Sequence, residues 1–178
     1  MIKVVLIGPE STGKSTLSKA LAVHYNGMYC PEFARQYLLQ YGTAYTYNQL
    51  LTIAQGQLQL EDAATINAQQ LSKPLFIDTD MYVMKVWCEY VFGNCHNYIT
   101  QQIAKRNYTM YLLCNIDLPW VQDELREYPN YTTRATLYNY YKDIVINSGV
   151  PWALVSGTSI ETRTASAIKA IDSIIKTL

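Results

Sequence analysis

Short apolar runs alternate along the chain with longer segments in which apolar residues recur at helical spacing. The runs are bounded by glycine, proline or polar residues, which is typical of strands buried in a parallel sheet. The pattern predicts five strands, at residues 3–7, 28–30, 75–77, 111–114 and 153–155. Because strands and helices alternate from end to end, we expect an α/β fold in which helices cover both faces of a parallel sheet.

The segments between the strands supply the predicted helices. Gly42 ends the second helix, and Thr46 with Gln49 forms a capping box for the third. We expect Thr158 and Glu161 to cap the last helix in the same way. The predicted helices are 14–25, 32–41, about 46–71, 81–92, 98–106 and a last one that carries isoleucines from Ile160 to Ile175 and ends at Leu178.

Length and composition favour one domain over residues 1–178, because a chain of 178 residues that is 49% hydrophobic can bury a core of its own. The formal net charge is zero, so we expect neither a nucleic-acid face nor a membrane-binding segment. No apolar stretch suits a signal peptide or a membrane span, and the four cysteines form no C-x-x-C pair, which favours a reduced, cytoplasmic protein. The 16 tyrosines are compatible with a subunit contact, so the oligomeric state stays open.

A complete phosphate-binding motif follows the first predicted strand. Residues 8–15 read GPESTGKS and match the pattern G-x-x-x-x-G-K-[ST]. The two glycines permit a backbone that turns its N–H groups inward, and the following helix adds the positive end of its dipole. We expect the phosphates of ATP to bind here, with Ser15 as a ligand of Mg²⁺. The predicted phosphate-binding set is Gly8, Ser11, Thr12, Gly13, Lys14, Ser15 and Thr16.

Polar residues directly after the strands are the next candidates, because ligands of such sheets bind at the carboxyl ends of the strands. Asp78 follows the third strand, where a carboxylate can share Mg²⁺ with Ser15; the alternative is a helix cap. For Asp80 two roles stay open: a cap at a helix N-terminus and a contact with the substrate. Glu32 follows the second strand, where it can orient or deprotonate an acceptor hydroxyl or simply complement a helix dipole. Arg35, one turn further, can hold Glu32 or reach a phosphate.

An arginine-bearing segment after the fourth strand is typical of a lid that closes over the phosphates. Arg126 and Arg134 bracket a stretch with proline and asparagine, so we expect a mobile lid over about 117–135 in preference to a solvated helix–loop–helix. Trp120 lies at the mouth of the same edge. Trp87 lies on an apolar helical face, where core packing is the alternative to contact with a substrate ring. Residues 156–158 are a candidate, by position alone, for the turn beside adenine.

Six motifs together resemble the ribosylnicotinamide kinase domain of the NadR family and related stand-alone P-loop ATPases: GPESTGKSTL, PEFAR, IAQGQ, FIDTD, VWCEYVFG and NIDLPWVQDELR. The resemblance covers nearly the whole chain and implies the three-layer P-loop kinase fold with a five-stranded parallel sheet. It also implies transfer of the γ-phosphate of ATP to the ribose 5′-hydroxyl of nicotinamide riboside (NR), which gives nicotinamide mononucleotide and ADP. By match of motif, Gly13, Lys14 and Ser15 would hold phosphate and metal, Asp78 the metal side, Glu32 and Asp80 the riboside, and Arg126 with Arg134 the lid.

Two features depart from the family's pattern. The chain begins at the phosphate loop, so we expect neither the nucleotidylyltransferase nor the DNA-binding activity of the longer members. Some members also carry an aromatic residue just before the glutamate of the E-[FY]-x-R motif, where it can stack on the nicotinamide ring. Here that position is Pro31. We expect Phe33, Trp87 or Trp120 to take over the stacking.

Three other functions fit parts of the sequence. A GTPase would need an N-K-x-D string, which Asn115-Ile116-Asp117 does not supply. A P-loop kinase for another nucleoside or a small alcohol would share every element except the base pocket. A non-catalytic ATP sensor would use lid closure to expose a partner surface. The presence of Lys14, Asp78 and paired lid arginines favours catalysis over sensing.

Overall fold

The computed structural model describes residues 1–176, so the last two residues of the predicted domain and final helix, Thr177 and Leu178, lie outside the described residues. The described chain forms one five-stranded, all-parallel sheet in the order β2-β3-β1-β4-β5. This architecture confirms the α/β P-loop kinase fold predicted from the sequence. The strands are β1 (Lys3–Ile7), β2 (Met28–Cys30), β3 (Leu75–Asp78), β4 (Met110–Cys114) and β5 (Trp152–Val155).

Helices connect all five strands, and one of them was not predicted. The unpredicted helix is α6, where a run rich in threonine and tyrosine has a weak intrinsic preference for helix and shows no clear apolar stripe. Tertiary packing forms it instead, because Leu137, Tyr141 and Val145 are buried in the core. The helices are α1 (Lys14–His24), α2 (Phe33–Tyr41), α3 (Tyr47–Gln70), α4 (Met81–Phe92), α5 (Asn97–Lys105), α6 (Tyr131–Asn147) and α7 (Ile160–Ile175).

The sheet divides the core into two apolar layers, because successive side chains of a strand point to opposite faces. Val5 and Ile7 of β1 pack in one layer with side chains of α3, α4 and α6. Val4 and Leu6 pack in the other layer with side chains of α1 and α7. Buried on both faces, β1 reads as a continuous apolar run, which explains why it was predictable.

Strand register brings the candidate residues to one edge of the sheet. Leu6 of β1 pairs with Asp78 at the end of β3, and Ile7 pairs with Leu113 near the end of β4. The phosphate loop after β1 therefore begins beside Asp78. Residues 115–130, which follow β4 on the same edge, form neither helix nor strand, and we call them the lid segment.

Two of the three predicted helix ends are confirmed. Thr46 and Gln49 form the capping box of α3, and Gly42 follows α2 with a φ of 89°. The predicted cap of the last helix is wrong by one residue, because Ser159 and Thr162 form the capping box of α7. The Thr162 hydroxyl packs so closely on Gly157 that a Cβ there would lie 2.3 Å from it, so the turn before α7 has no room for a side chain at this position.

Among residues 1–176, no helix combines the length and the apolar character that crossing a membrane requires.

Candidate functional site

The phosphate loop owes its shape to two glycines. Gly8 has a φ of 143°, and a Cβ at this position would lie 2.8 Å from the carbonyl oxygen of Cys114 in β4. Gly13 has a φ of 76° and precedes the first turn of α1. Both conformations are strained for residues with a side chain. The motif therefore encodes the loop's backbone directly.

Hydrogen bonds within the loop orient its side chains. The carbonyl of Pro9 accepts from the buried Thr12 hydroxyl at 2.8 Å and from the Lys14 ammonium at 2.7 Å. Ser15 and Thr16, in the first turn of α1, are exposed toward the cleft. The loop thus presents a cation, hydroxyl groups and a helix N-terminus to one space, which is the chemistry that binds phosphates.

Asp78 lies fully buried at the end of β3, and neither of its carboxylate oxygens has a hydrogen-bond partner. Burial raises the pKa of this carboxyl, while the positive charge of the Lys14 ammonium opposes the rise. A buried carboxylate without partners is costly unless a cation compensates it. The site therefore suits Mg²⁺, which proteins bind through one or two carboxylates together with hydroxyl groups and phosphates.

Glu32 lies between β2 and α2, where it is the N-cap residue of α2, and it is partly buried. Burial, followed by the negative charge of Asp78, raises the pKa of Glu32 to about 7, against the influence of Lys14 and Arg35. Its side chain makes no capping hydrogen bond to α2. The carboxylate therefore does not serve as a helix cap, and Glu32 lines the cleft.

One cleft of about 240 Å³ joins the phosphate loop to an aromatic pocket. Val83, Val86, Trp87 and Tyr90 line the pocket from a single face of α4, at the spacing of successive helical turns. Every residue of the predicted phosphate-binding set lines the cleft. So do four of the other predicted residues, Glu32, Arg35, Trp87 and Arg126.

The three candidate stacking residues occupy different places. Trp87 lines the pocket, and its indole nitrogen donates to the Tyr45 hydroxyl at 2.7 Å. Phe33 instead packs on α3, where a Cβ on Gly56 would lie 2.2 Å from its ring. Trp120 does not line the cleft and donates to Glu10 at 3.0 Å. The structure thus leaves Trp87 as the candidate that can face a substrate ring.

Asp80 also lies outside the cleft. One of its carboxylate oxygens accepts the backbone N–H groups of Tyr82 and Val83 at 3.0 and 3.2 Å, which caps α4. The other accepts the Tyr111 hydroxyl at 2.9 Å. Of the two roles open to Asp80 from the sequence, the geometry matches the helix cap.

The lid segment lies docked on the phosphate loop through Glu10, a residue that the sequence did not single out. The Glu10 carboxylate accepts three hydrogen bonds from the lid segment: the Trp120 indole at 3.0 Å, and the backbone N–H groups of Glu127 at 3.0 Å and Tyr128 at 2.7 Å. Ser11 adds a fourth contact, because its hydroxyl accepts from the Val121 N–H at 3.1 Å. The motif pattern treats both positions as variable, so it carries no signal for these contacts.

The two predicted lid arginines have different surroundings. Arg126 lines the cleft, and its guanidinium donates to the carbonyl of Val121 within the lid segment. Arg134 lies in the first turn of α6, is buried, and donates at 3.4 Å to the carbonyls of Ser11 and Leu118. Arg126 can therefore reach a ligand in the cleft directly. Arg134 does not line the cleft and instead supports the phosphate loop through the carbonyl of Ser11.

A third arginine, Arg163 of α7, was not predicted. It is fully buried and donates to the carbonyls of Thr12, Asn115 and Gly157 at 3.0 to 3.1 Å. It also pairs with Asp117, whose other oxygen accepts the Gly157 N–H at 2.7 Å. Arg163 thus ties the phosphate loop to the ends of β4 and β5. It lies among isoleucines and threonines of an ordinary amphipathic helix, so no local pattern distinguishes it.

Comparison with known proteins supports the resemblance read from the motifs. The AAA_28 family model, described as an AAA domain, matches residues 3–163. The trifunctional NAD biosynthesis/regulator protein NadR of Escherichia coli (strain K12) is 26% identical over 172 residues, which are 94% of this chain and 41% of that protein. The chain therefore spans about two fifths of the length of that relative.

Two solved structures share the fold. NadR protein in complex with NR superposes with a TM-score of 0.81 at 20% identity, over 97% of this chain and 49% of that one. NadR protein in complex with NAD and AMP-PNP gives a TM-score of 0.71 at 19% identity, with the same coverage. At these identities the structural likeness establishes the fold.

Proposed function

The chain belongs to the AAA_28 family of AAA domains, and from this premise we propose that it is an ATP-dependent kinase that phosphorylates the 5′-hydroxyl of NR. The observation that carries the proposal is the single cleft in which Lys14, Glu32 and Trp87 all lie. A phosphoryl-transfer enzyme needs a phosphate site, an acceptor-side group and a pocket for the acceptor within one space closed to water. The similarity to NadR, one structure of which holds NR and another AMP-PNP, supports this choice of substrates.

At the phosphate end of the cleft, the loop binds and orients the β- and γ-phosphates of ATP. The inward N–H groups and the α1 terminus compensate negative charge, and Lys14 places a mobile cation on the outer phosphates. Ser15 and Asp78 would hold Mg²⁺, which when bound supplies further compensation for phosphate charge. This assignment gives the two unpartnered oxygens of Asp78 a cation to bind.

At the acceptor end, Glu32 orients the ribose hydroxyl and takes its proton. A carboxylate whose pKa lies near 7 is well matched to this task, because about half of it is ionised at neutral pH and the ionised form is basic enough to accept a proton. The positive charge of Arg35 opposes the rise in the pKa of Glu32, and the same guanidinium pairs with Asp123 of the lid segment. It therefore links the acceptor-side carboxylate to the lid.

The aromatic pocket receives the base of the riboside. Trp87 offers a ring whose orientation is fixed by the hydrogen bond to Tyr45 and by an edge-on contact between the two rings, 4.9 Å between centroids. Tyr90 and Tyr128 also line the pocket, with their rings nearly perpendicular. Planar rings that are fixed in this way favour a planar, aromatic base over a flexible alcohol.

The proposal is tested by measuring ADP release and riboside monophosphate with the purified protein, ATP and a panel of acceptors: NR, adenosine, thymidine and glycerol. We expect the highest kcat/KM with NR and no product with Lys14→Ala. A higher kcat/KM with another nucleoside would retain the assignment as a kinase but replace NR as the substrate. ATP-dependent lid closure without turnover on any acceptor would favour the alternative function, a non-catalytic ATP sensor.

A further inference from the structure

Glu10 places a negative charge inside a loop whose task is to bind negative phosphates. Such loops bind through backbone N–H groups and a lysine, so nothing in phosphate recognition calls for a carboxylate. A carboxylate near the phosphates would oppose their binding by Coulomb repulsion. Its two oxygens are instead engaged by three donors of the lid segment.

We propose that Glu10 is a positioning residue that couples the phosphate loop to the acceptor pocket through the lid segment. The inference rests on the proposed kinase function, because it assigns a role in that same cleft. Glu10 holds the lid segment at both ends of the stretch 120–128. That stretch contains Arg126, which lines the cleft, and Tyr128, which forms a wall of the acceptor pocket.

The lid segment depends on this carboxylate because its own backbone does not hold it in place. Residues 115–130 form no helix or strand, so side-chain contacts determine their position. Between residues 120 and 128, further outside contacts are the Ser11 hydroxyl, the exposed Arg35–Asp123 pair, the Tyr45–Glu127 hydrogen bond and the Tyr90–Tyr128 ring contact. Arg134 and Arg163 hold only the start of the segment, at residues 115–118. Hydrogen bonds to a carboxylate are stronger than neutral ones, and Glu10 makes three of them.

Coupling follows from the position of Glu10 between two halves of the cleft. ATP bound in the loop restrains the loop and Glu10 with it, so the lid segment gains a fixed point of attachment. Coupling of this kind is reciprocal, so a docked lid also favours the loop conformation that holds ATP. The acceptor pocket is complete only while Tyr128 stays against Tyr90, which places the riboside affinity under the control of Glu10.

The test compares Glu10→Gln with a control, Glu124→Gln, which changes an exposed carboxylate of the same lid segment. Glutamine keeps the length of the side chain but puts an NH₂ group against backbone N–H donors. We expect the riboside KM to rise about 10- to 100-fold, the range for lost hydrogen bonds to a charged group. ATP affinity should change less than the riboside KM, and the share of ATP hydrolysed to free phosphate should rise, because an undocked lid admits water.

A second variant, Trp120→Phe, removes one donor and keeps an aromatic ring. It should raise the riboside KM less than Glu10→Gln does, and it should add little in the double variant, because both changes break the same contact. An unchanged riboside KM in Glu10→Gln would overturn the proposal. So would a loss of ATP affinity with an unchanged riboside KM and unchanged free phosphate.

Amide hydrogen exchange provides a readout that needs no acceptor. In the wild-type protein with AMP-PNP, the amides of Glu127 and Tyr128 should exchange slowly, and Glu10→Gln should accelerate both relative to Glu124→Gln. Equal exchange in the two variants would contradict the coupling even if the riboside kinase activity were found. Accelerated exchange without any riboside kinase activity would retain the lid contact and overturn only the proposed function.

Discussion

The phosphate loop and the lid segment meet in one cleft, but they are held in different ways. The loop is fixed by glycine torsions and by bonds among neighbours such as Thr12 and Pro9, three positions apart. The lid segment is held largely by side chains that are distant in sequence, such as Tyr45, which is 82 positions from Glu127, and Glu10, which is 118 positions from Tyr128. Torsions and short-range hydrogen bonds set most of the shape of the loop, with Arg134 and Arg163 as outside support, whereas the lid segment depends mainly on contacts with distant parts of the chain.

This difference predicts different responses to substitution. A change in the loop alters the group that meets the phosphates, so it should affect the chemical step or nucleotide binding directly. A change in a lid contact leaves those groups in place and shifts the fraction of molecules with a closed cleft, so it should act mainly on the acceptor KM. The following substitutions test this division, in order of decreasing effect.

Lys14→Ala should have the largest effect, because it removes the loop's only mobile cation in the region where charge moves onto the leaving phosphate. We expect kcat to fall about 10³–10⁵-fold, the range reported for one cationic group at a transferring phosphoryl. Far-ultraviolet circular dichroism should stay unchanged, because the ammonium makes its hydrogen bond to Pro9 at the surface of the cleft. A kcat within tenfold of wild type would remove Lys14 from the mechanism.

Glu32→Gln should lower kcat about 10²–10⁴-fold while ATP affinity stays near wild type, since the phosphate loop is untouched. The same residue predicts a pH profile. Its pKa is raised to about 7, chiefly by burial, and the ionised form accepts the proton, so kcat should fall as the pH drops through that value. The variant should lose this dependence. A normal kcat in Glu32→Gln would assign the residue to the terminus of α2.

Gly8→Ala should disturb the loop as a whole. The new Cβ would meet the carbonyl oxygen of Cys114, and the φ of 143° is unfavourable for alanine. We expect unfolding to become easier by about 1–3 kcal/mol, with weaker nucleotide binding. Gly149→Ala is the matched control, because Gly149 also has a positive φ but has no neighbouring atoms within 4 Å. Equal loss of stability in the two variants would show that torsion alone matters at Gly8.

Asp123→Asn should have the smallest effect of the four. It breaks the paired hydrogen bonds with Arg35, at 3.1 and 3.2 Å, on an exposed part of the lid segment. Exposed ion pairs contribute little, so the riboside KM should rise at most about fivefold, with kcat nearly unchanged. A fall in kcat as large as that of Glu32→Gln would mean that the lid takes part in the chemical step.

The same division explains what the sequence could reveal. The five strands, the phosphate loop and Asp78 depend on local patterns, and their placement at one sheet edge follows from parallel topology. The contacts of Glu10 and Arg163 depend on the folded arrangement of distant segments, which no local pattern records. Helix α6 lacked a clear apolar stripe, and Asp80 fitted two roles equally well until its hydrogen bonds to α4 and Tyr111 were known.

The most direct test of the account is phosphorus NMR of the products formed from ATP and NR by the wild-type protein. We expect ADP and a riboside 5′-monophosphate in equal amounts, with little inorganic phosphate, and neither product with Lys14→Ala. Conversion of ATP to ADP and inorganic phosphate, with NR left unchanged, would contradict the proposed riboside kinase function.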